Sequence, residues 1–168
     1  PPMHGAAAEF DDGFPEKMRR LCARADIITP NITEACLLTG TPYRETEDLS
    51  WWRDLLRRVA DLGPRYPVLT GVPFGPDRLG VLALDPDTGG FFDYHTPRVH
   101  DHFHGTGDIF SAACAGAMVR GKSLPEALRL AADFTLACIQ VTCRDPNAPW
   151  YGVEFEKALH LLPGLLEG

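Results

Sequence analysis

The chain has 168 residues, 45% hydrophobic and 23% charged, which suits one globular domain over residues 1–168 with a single substantial core. A formal net charge of −7 and a pI near 5.3 argue against a nucleic-acid or anionic-membrane surface, because counterion release needs clustered Lys and Arg. No stretch approaches the roughly 20 apolar residues of a membrane span, and the first residues lack the basic-then-apolar pattern of an export signal. Five cysteines, Cys22, Cys36, Cys114, Cys138 and Cys143, form no CxxC pair, so reduced thiols and a cytoplasmic setting are expected.

In chain order, Pro15 to Arg24 suits a short helix and Ala25 to Thr29 a buried strand. Asn31 to Leu38 is helical and stops at Gly40 and Pro42. A further helix runs from Ser50, a polar cap candidate, to Leu62, with Trp52, Leu55, Leu56 and Val59 at helical spacing. Val68 to Thr70 is the next strand. After the loop from Pro73 to Asp77, Leu79–Leu84 and Phe91–Tyr94 flank a turn-rich segment and predict a hairpin at one edge of the sheet.

Gly105-Thr106-Gly107-Asp108 opens a long apolar helix to Arg120, and Ser123-Leu124-Pro125-Glu126 is a capping box for another reaching about Val141. The linker from Arg144 to Gly152 precedes a last helical pattern, Val153 to Leu162, ended by Pro163 and Gly164. Strands alternating with helices, then a hairpin, predict an α/β sandwich with a mainly parallel sheet. Two strands before the hairpin are few for a doubly wound sheet, so strands on the amino-terminal side are missing from this pattern.

The sharpest chemical signal is His104-Gly105-Thr106-Gly107-Asp108-Ile109-Phe110-Ser111-Ala112. Glycines let an anion approach the chain closely, and the free amides and positive end of the helix stabilise negative charge. Asp108 could accept a hydroxyl proton there. Read alone, the tetrapeptide is equally a turn with an acid at the helix start. Glu34 likewise could be a favourably placed first-turn acid, and Thr70 ordinary β structure.

Taken together, the segment from His104 to Ala112 resembles the anion-hole signature of ribokinase-like kinases. Thr29-Pro30-Asn31-Ile32-Thr33-Glu34-Ala35 is similar to that family's strand-end motif, and Val68-Leu69-Thr70-Gly71-Val72 to the strand end that presents a threonine to ATP phosphates. Ala25 to Asn31, Glu34 to Gly40 and Trp150-Tyr151-Gly152 with Phe155 to Leu159 resemble the pyridoxal/pyridoxamine kinase branch in particular. The resemblance implies a ribokinase-like three-layer sandwich and ATP-dependent phosphorylation of the 5′-hydroxyl of a B6 vitamer. It also implies Asp108 as general base and Gly105, Thr106 and Gly107 as the anion hole. Glu34 would contact Mg2+, Asn31, Thr29 and Thr70 the phosphates, and Phe103 with His104 the adenine side. A monovalent cation and a homodimer are further family properties. Hydroxymethylpyrimidine kinase is the nearest competing family.

The resemblance covers the carboxyl-terminal, nucleotide-handling part of such enzymes. Pro1 and Ala6 stand where the family has two acids. A complementing amino-terminal chain, or a non-catalytic module of the same fold, is therefore the alternative to a self-sufficient kinase. The alternating His100, His102 and His104 could in principle bind zinc, but loop residues over the nucleotide are expected. Trp51 and Trp52 are expected to divide between a partly exposed and a buried position. Cys114 and Cys138 should be buried and inert, and Arg57 and Arg58 a solvated helix face. An open strand edge at Ile27 to Thr29 would favour self-association.

Overall fold

The computed structural model describes residues 13–99, 103–148 and 152–167. Helix α1, Phe14–Cys22, leads into the short strand β1, Ile27–Ile28; α2, Ile32–Thr39, and α3, Leu49–Ala60, follow. Three strands come next: β2, Tyr66–Pro73, β3, Arg78–Leu84, and β4, Phe91–Pro97. The long helices α4, Thr106–Val119, and α5, Leu124–Arg144, precede a 3-10 turn at Phe155–Leu161 and the short helix α6, Leu162–Glu167.

The four strands lie in the order β1-β2-β3-β4. β1 pairs parallel to β2, while β2, β3 and β4 pair antiparallel. Within the described residues, the parallel part of the expected sheet is thus the β1–β2 pair, and the expected hairpin forms the far edge. The sandwich has three layers because β2 and β3 are apolar on both faces. Val68, Val81 and Ala83 join Phe110, Cys114, Ala117, Leu128 and Ala131 of α4 and α5 in one core. Leu69, Val72 and Leu82 join Ala35 and Cys36 of α2 and Trp52, Leu55, Leu56 and Val59 of α3 in the other.

Strict alternation along β2 would turn Val72 to the α4 side, since successive side chains point to opposite faces. A bulge prevents this. Thr70 pairs with Val81 and Val72 with Gly80, leaving Gly71 as the extra residue at φ +70°, a left-handed conformation natural to glycine. Gly80 meets a different constraint, because a Cβ there would run into the Tyr94 carbonyl and lie 2.7 Å from the Cα of His95.

Several expected boundaries shift for local reasons. The strand expected over Ala25–Thr29 shrinks to Ile27–Ile28 and is half-buried rather than buried, although ladder bonds continue at both ends, Tyr66 N–H to the Asp26 carbonyl at 2.8 Å and Thr70 N–H to the Pro30 carbonyl at 3.0 Å. Asp48, not Ser50, caps α3, accepting from the Ser50 amide at 2.9 Å and hydroxyl at 2.8 Å. The Ser123 amide donates to Glu126 at 2.7 Å, which starts α5 as expected. Pro163 and Gly164 do not end the last helix; they lie in the first turn of α6, where proline's missing N–H costs nothing.

Trp52 is buried and Trp51 half-buried, their rings edge to face at 4.6 Å. Arg57 is exposed and paired with Asp54, yet with Arg53 it also stacks over the Phe91 ring, at 5.0 and 5.1 Å. The solvated face therefore clamps the start of β4 as well. Strand β1 is the outer edge of the described sheet. Beside it, α4 carries no charged side chain from Ile109 to Val119, and its outer face, Ala112, Ala115, Gly116 and Val119, is exposed, Val119 to 88%. No described helix is long and apolar enough to cross a membrane.

The thiols follow the core. Cys22, Cys36, Cys114 and Cys138 are buried and Cys143 is exposed. Burial pushes Cys114 and Cys138 up to about 11, so both are neutral thiols at pH 8. In a thiol titration of the folded chain at pH 8, Cys143 should react first, with Cys114 and Cys138 reacting only after denaturant is added. Gly80→Ala should lower unfolding stability by about 1–3 kcal/mol in a denaturant melt, since neither backbone partner can yield without shifting β4.

Candidate active site

The predicted residues gather at the carboxyl ends of β1 and β2, where open α/β sheets place their ligands. The ladder continues past β1 as an isolated parallel bridge between Asn31 and Thr70. This holds the strand-end motif against the end of β2. The Thr70 hydroxyl lies 3.5 Å from the Thr29 carbonyl, a distance at which it is held only weakly.

Asn31 and Glu34 form a reciprocal capping box on α2. Asn31 Oδ1 accepts from the Glu34 amide and Glu34 Oε2 from the Asn31 amide, both at 2.9 Å. One face of each sequence alternative is thus realised: Glu34 is a first-turn acid that serves its own helix. Its second carboxylate oxygen, Oε1, has no bond within the box, and the side chain is exposed.

Helix α4 starts differently. Gly105, at φ +82°, occupies the cap position, and no side chain caps the helix. The amides at Thr106, Gly107 and Asp108 are therefore the ends of a helix left open for an external acceptor. Asp108 is exposed in the first turn. Ser111, quoted in the motif but given no role from sequence, donates to the Gly107 carbonyl at 2.7 Å and lies 2.8 Å from the Thr29 hydroxyl. That contact ties β1 to α4 across 82 positions. A serine four residues after Gly107 announces the local bond; nothing in the sequence announces the distant one.

Thr29, Asn31, Glu34 and Thr70 are thus linked to one another, and to the turn of Gly105, Thr106, Gly107 and Asp108 through Ser111. Phe103 is half-buried and His104 exposed, just before α4, and Gly152 packs near the His104 carbonyl. His100 and His102, with Pro1, Ala6, Trp150 and Tyr151, lie outside the described residues. Among the described residues, no group of three His, Cys, Asp or Glu could hold a metal ion. Of the predicted site residues, Glu34 and Asp108 carry carboxylates, and Glu34 is the one that would meet Mg2+. This fits an ion that arrives with nucleotide phosphates and keeps most of its waters, not one caged by protein.

The site is open. Two clefts of about 240 and 410 Å³ are lined by Asp77, Arg78, His95, Thr96 and Pro97, and by Arg120, Lys122, Pro163, Leu166 and Glu167. Neither contains a predicted site residue.

The fold and site define an α/β chain with an uncapped, glycine-started helix at its strand ends. Residues 4–148 match the phosphomethylpyrimidine kinase family, and the chain belongs to that family. It is 30% identical over 81% of its length to the hydroxymethylpyrimidine/phosphomethylpyrimidine kinase of Streptomyces coelicolor, covering 49% of that protein. A structure from Bacteroides thetaiotaomicron, provisionally assigned as a phosphomethylpyrimidine kinase and crystallised with pyridoxal, superposes with a TM-score of 0.85 at 33% identity, over 93% of this chain and 55% of that one. Pyridoxal kinase from Staphylococcus aureus in complex with ADP gives 0.67 at 26% identity, over 78% and 47%. The chain spans about half the length of the curated relatives it matches.

Asn31→Ala should cost about 1 kcal/mol of stability through the lost cap of α2. A denaturant melt without any ligand isolates this structural share from a role in binding.

Proposed function

We propose that the site transfers the γ-phosphoryl group of ATP to a hydroxymethyl group on an aromatic nitrogen heterocycle, with a B6 vitamer as the acceptor. The observation that carries this reading is the uncapped, glycine-started α4 with Asp108 in its first turn, bonded through Ser111 to the strand end that holds Thr29, Asn31 and Thr70. The ADP-bound and pyridoxal-bound relatives support a nucleotide and a pyridine ring as its ligands.

In this reading the substrate hydroxyl oxygen attacks the γ-phosphorus while the bond to the ADP oxygen breaks. The hydroxyl proton passes to the Asp108 carboxylate. The transition state is loose, so the chain contributes mostly position and charge. Amides of Thr106, Gly107 and Asp108 donate to the phosphoryl oxygens as the charge develops. Asn31 and Thr70 orient the leaving phosphates. Glu34 would contact Mg2+ carried by the nucleotide, which when bound offsets phosphate charge.

A pyrimidine acceptor is the second reading on substrate, favoured by the name of the Streptomyces relative. A binding module without catalysis is the second reading on activity, favoured by the exposure of Asn31, Glu34 and Asp108. Phosphate transfer from Mg-ATP to pyridoxal and, separately, to hydroxymethylpyrimidine separates these. Transfer to pyridoxal that falls at least about 100-fold in Asp108→Ala is expected. Preference for the pyrimidine would move the chain to that substrate, and no transfer by a folded chain would leave the module.

A further inference from the structure

Ser111 stands out among the groups that the proposed chemistry does not use. Its hydroxyl has one proton, and the Gly107 carbonyl, 2.7 Å away, has only lone pairs to offer. Ser111 must therefore be the donor in that bond. In the 2.8 Å contact between Ser111 Oγ and Thr29 Oγ1 the proton then comes from Thr29. The result is a directed chain: Thr29 O–H to Ser111 Oγ, Ser111 O–H to the Gly107 carbonyl.

Both ends of that chain matter to the anion-binding turn. Gly107 is flanked by two of the open amides of α4 and, having no side chain, is held by none of its own. A Cβ added at Gly105 or at Gly107 would meet nothing within 4 Å. Neither glycine has a side chain to anchor the turn, so its hydrogen bonds hold it, the Ile109 amide to the Gly105 carbonyl at 3.1 Å and the Ser111 hydroxyl to the Gly107 carbonyl among them. Glycine's wide conformational range makes such fixing costly to omit.

We propose that Ser111 is a positioning residue: it relays a hydrogen bond from Thr29 at the end of β1 to the Gly107 carbonyl and so holds the amides of Thr106 to Asp108 in the orientation that receives a phosphoryl group. The proposal rests on the nucleotide reading of the site for its purpose, but the tie itself is a property of the free chain. It also changes the part given to Thr29. With its proton committed to Ser111, Thr29 presents lone pairs to the site and does not donate to a phosphate oxygen.

Serines that bond back to the carbonyl four residues earlier are common in helices and need no function. Two variants separate that local habit from the relay. Thr29→Val removes only the bond between strand and helix, leaving the bond from Ser111 to Gly107. Ser111→Ala removes both, and Ser111→Thr keeps a hydroxyl in place.

The first readout is backbone amide exchange at residues 109–111 in the ligand-free chain, the first amides of α4 that bond back to the turn, Ile109 to the Gly105 carbonyl at 3.1 Å. Thr29→Val and Ser111→Ala should each speed exchange there about fivefold to tenfold. The double variant should add little to Ser111→Ala, because the two residues act in one chain, and Ser111→Thr should restore wild-type rates. The second readout is titration with a methylene-bridged ATP analogue and with adenosine, both with Mg2+ present. Analogue affinity should fall about tenfold in Ser111→Ala while adenosine affinity holds, since only the phosphates meet the turn.

Exchange unchanged in Thr29→Val would overturn the relay and leave a local helix bond. Equal losses for analogue and adenosine would overturn the positioning role in favour of general loosening. A wild-type chain that binds no analogue would defeat the nucleotide reading instead, and the exchange rates would still decide whether the tie exists.

Discussion

Strand β2 has to serve two hydrophobic cores at once, and the arrangement of the molecule follows from that demand. Val68 enters the core shared with α4 and α5, and Leu69 enters the one shared with α2 and α3. At about 25 cal/mol per Å² of apolar surface removed from water, burial on both faces drives the folding of such a strand. Both helical layers must therefore form for β2 to be stable. The bulge at Gly71 keeps this arrangement workable to the end of the strand, since it returns Val72 to the α2 and α3 side.

The same strand builds the site. Where its apolar run ends, Thr70 takes the Pro30 carbonyl and bridges Asn31, so the loop after β1 is docked onto the end of β2. The capping box of Asn31 and Glu34 then starts α2 from that loop. On the opposite face, Phe110, Cys114 and Ala117 seat α4 in the other core. Its first turn therefore arrives at the same sheet end. The candidate site stands at the junction because packing on two faces brings both helix starts there, and the bond from Thr29 to Ser111 joins them.

One side of this sandwich has the character of an interior. β1 is apolar and outermost, and α4 is uncharged all round between Asp108 and Arg120 although one face is exposed. Helices of that kind ordinarily bury both sides, and strands parallel to their neighbours are ordinarily covered on both faces. The relatives are about twice as long as the matched region.

Much of this was legible in the residues, for reasons that are local. Trp52, Leu55, Leu56 and Val59 recur at helical spacing because one face of α3 meets the sheet, and Gly105 opens α4 because only glycine sits easily at φ +82°. The motif segments and their order announced the ribokinase-like fold because each is a run of neighbours in sequence, but not the branch: the pyridoxal kinase branch was expected, and the matching family is that of phosphomethylpyrimidine kinases. Boundaries set by side-chain competition were less legible, as with Asp48 taking the cap from Ser50, or Pro163 starting a helix instead of ending one. What only the tertiary structure decided are the contacts between distant positions. The face on which Val72 lands depends on a register shift against β3, the stacking of Arg53 and Arg57 on Phe91 depends on where β4 docks, and the meeting of Thr29 with Ser111 depends on β1 and α4 sharing one core. A hydroxyl carries no mark of its distant partner; burial of the apolar residues around it brings the two together.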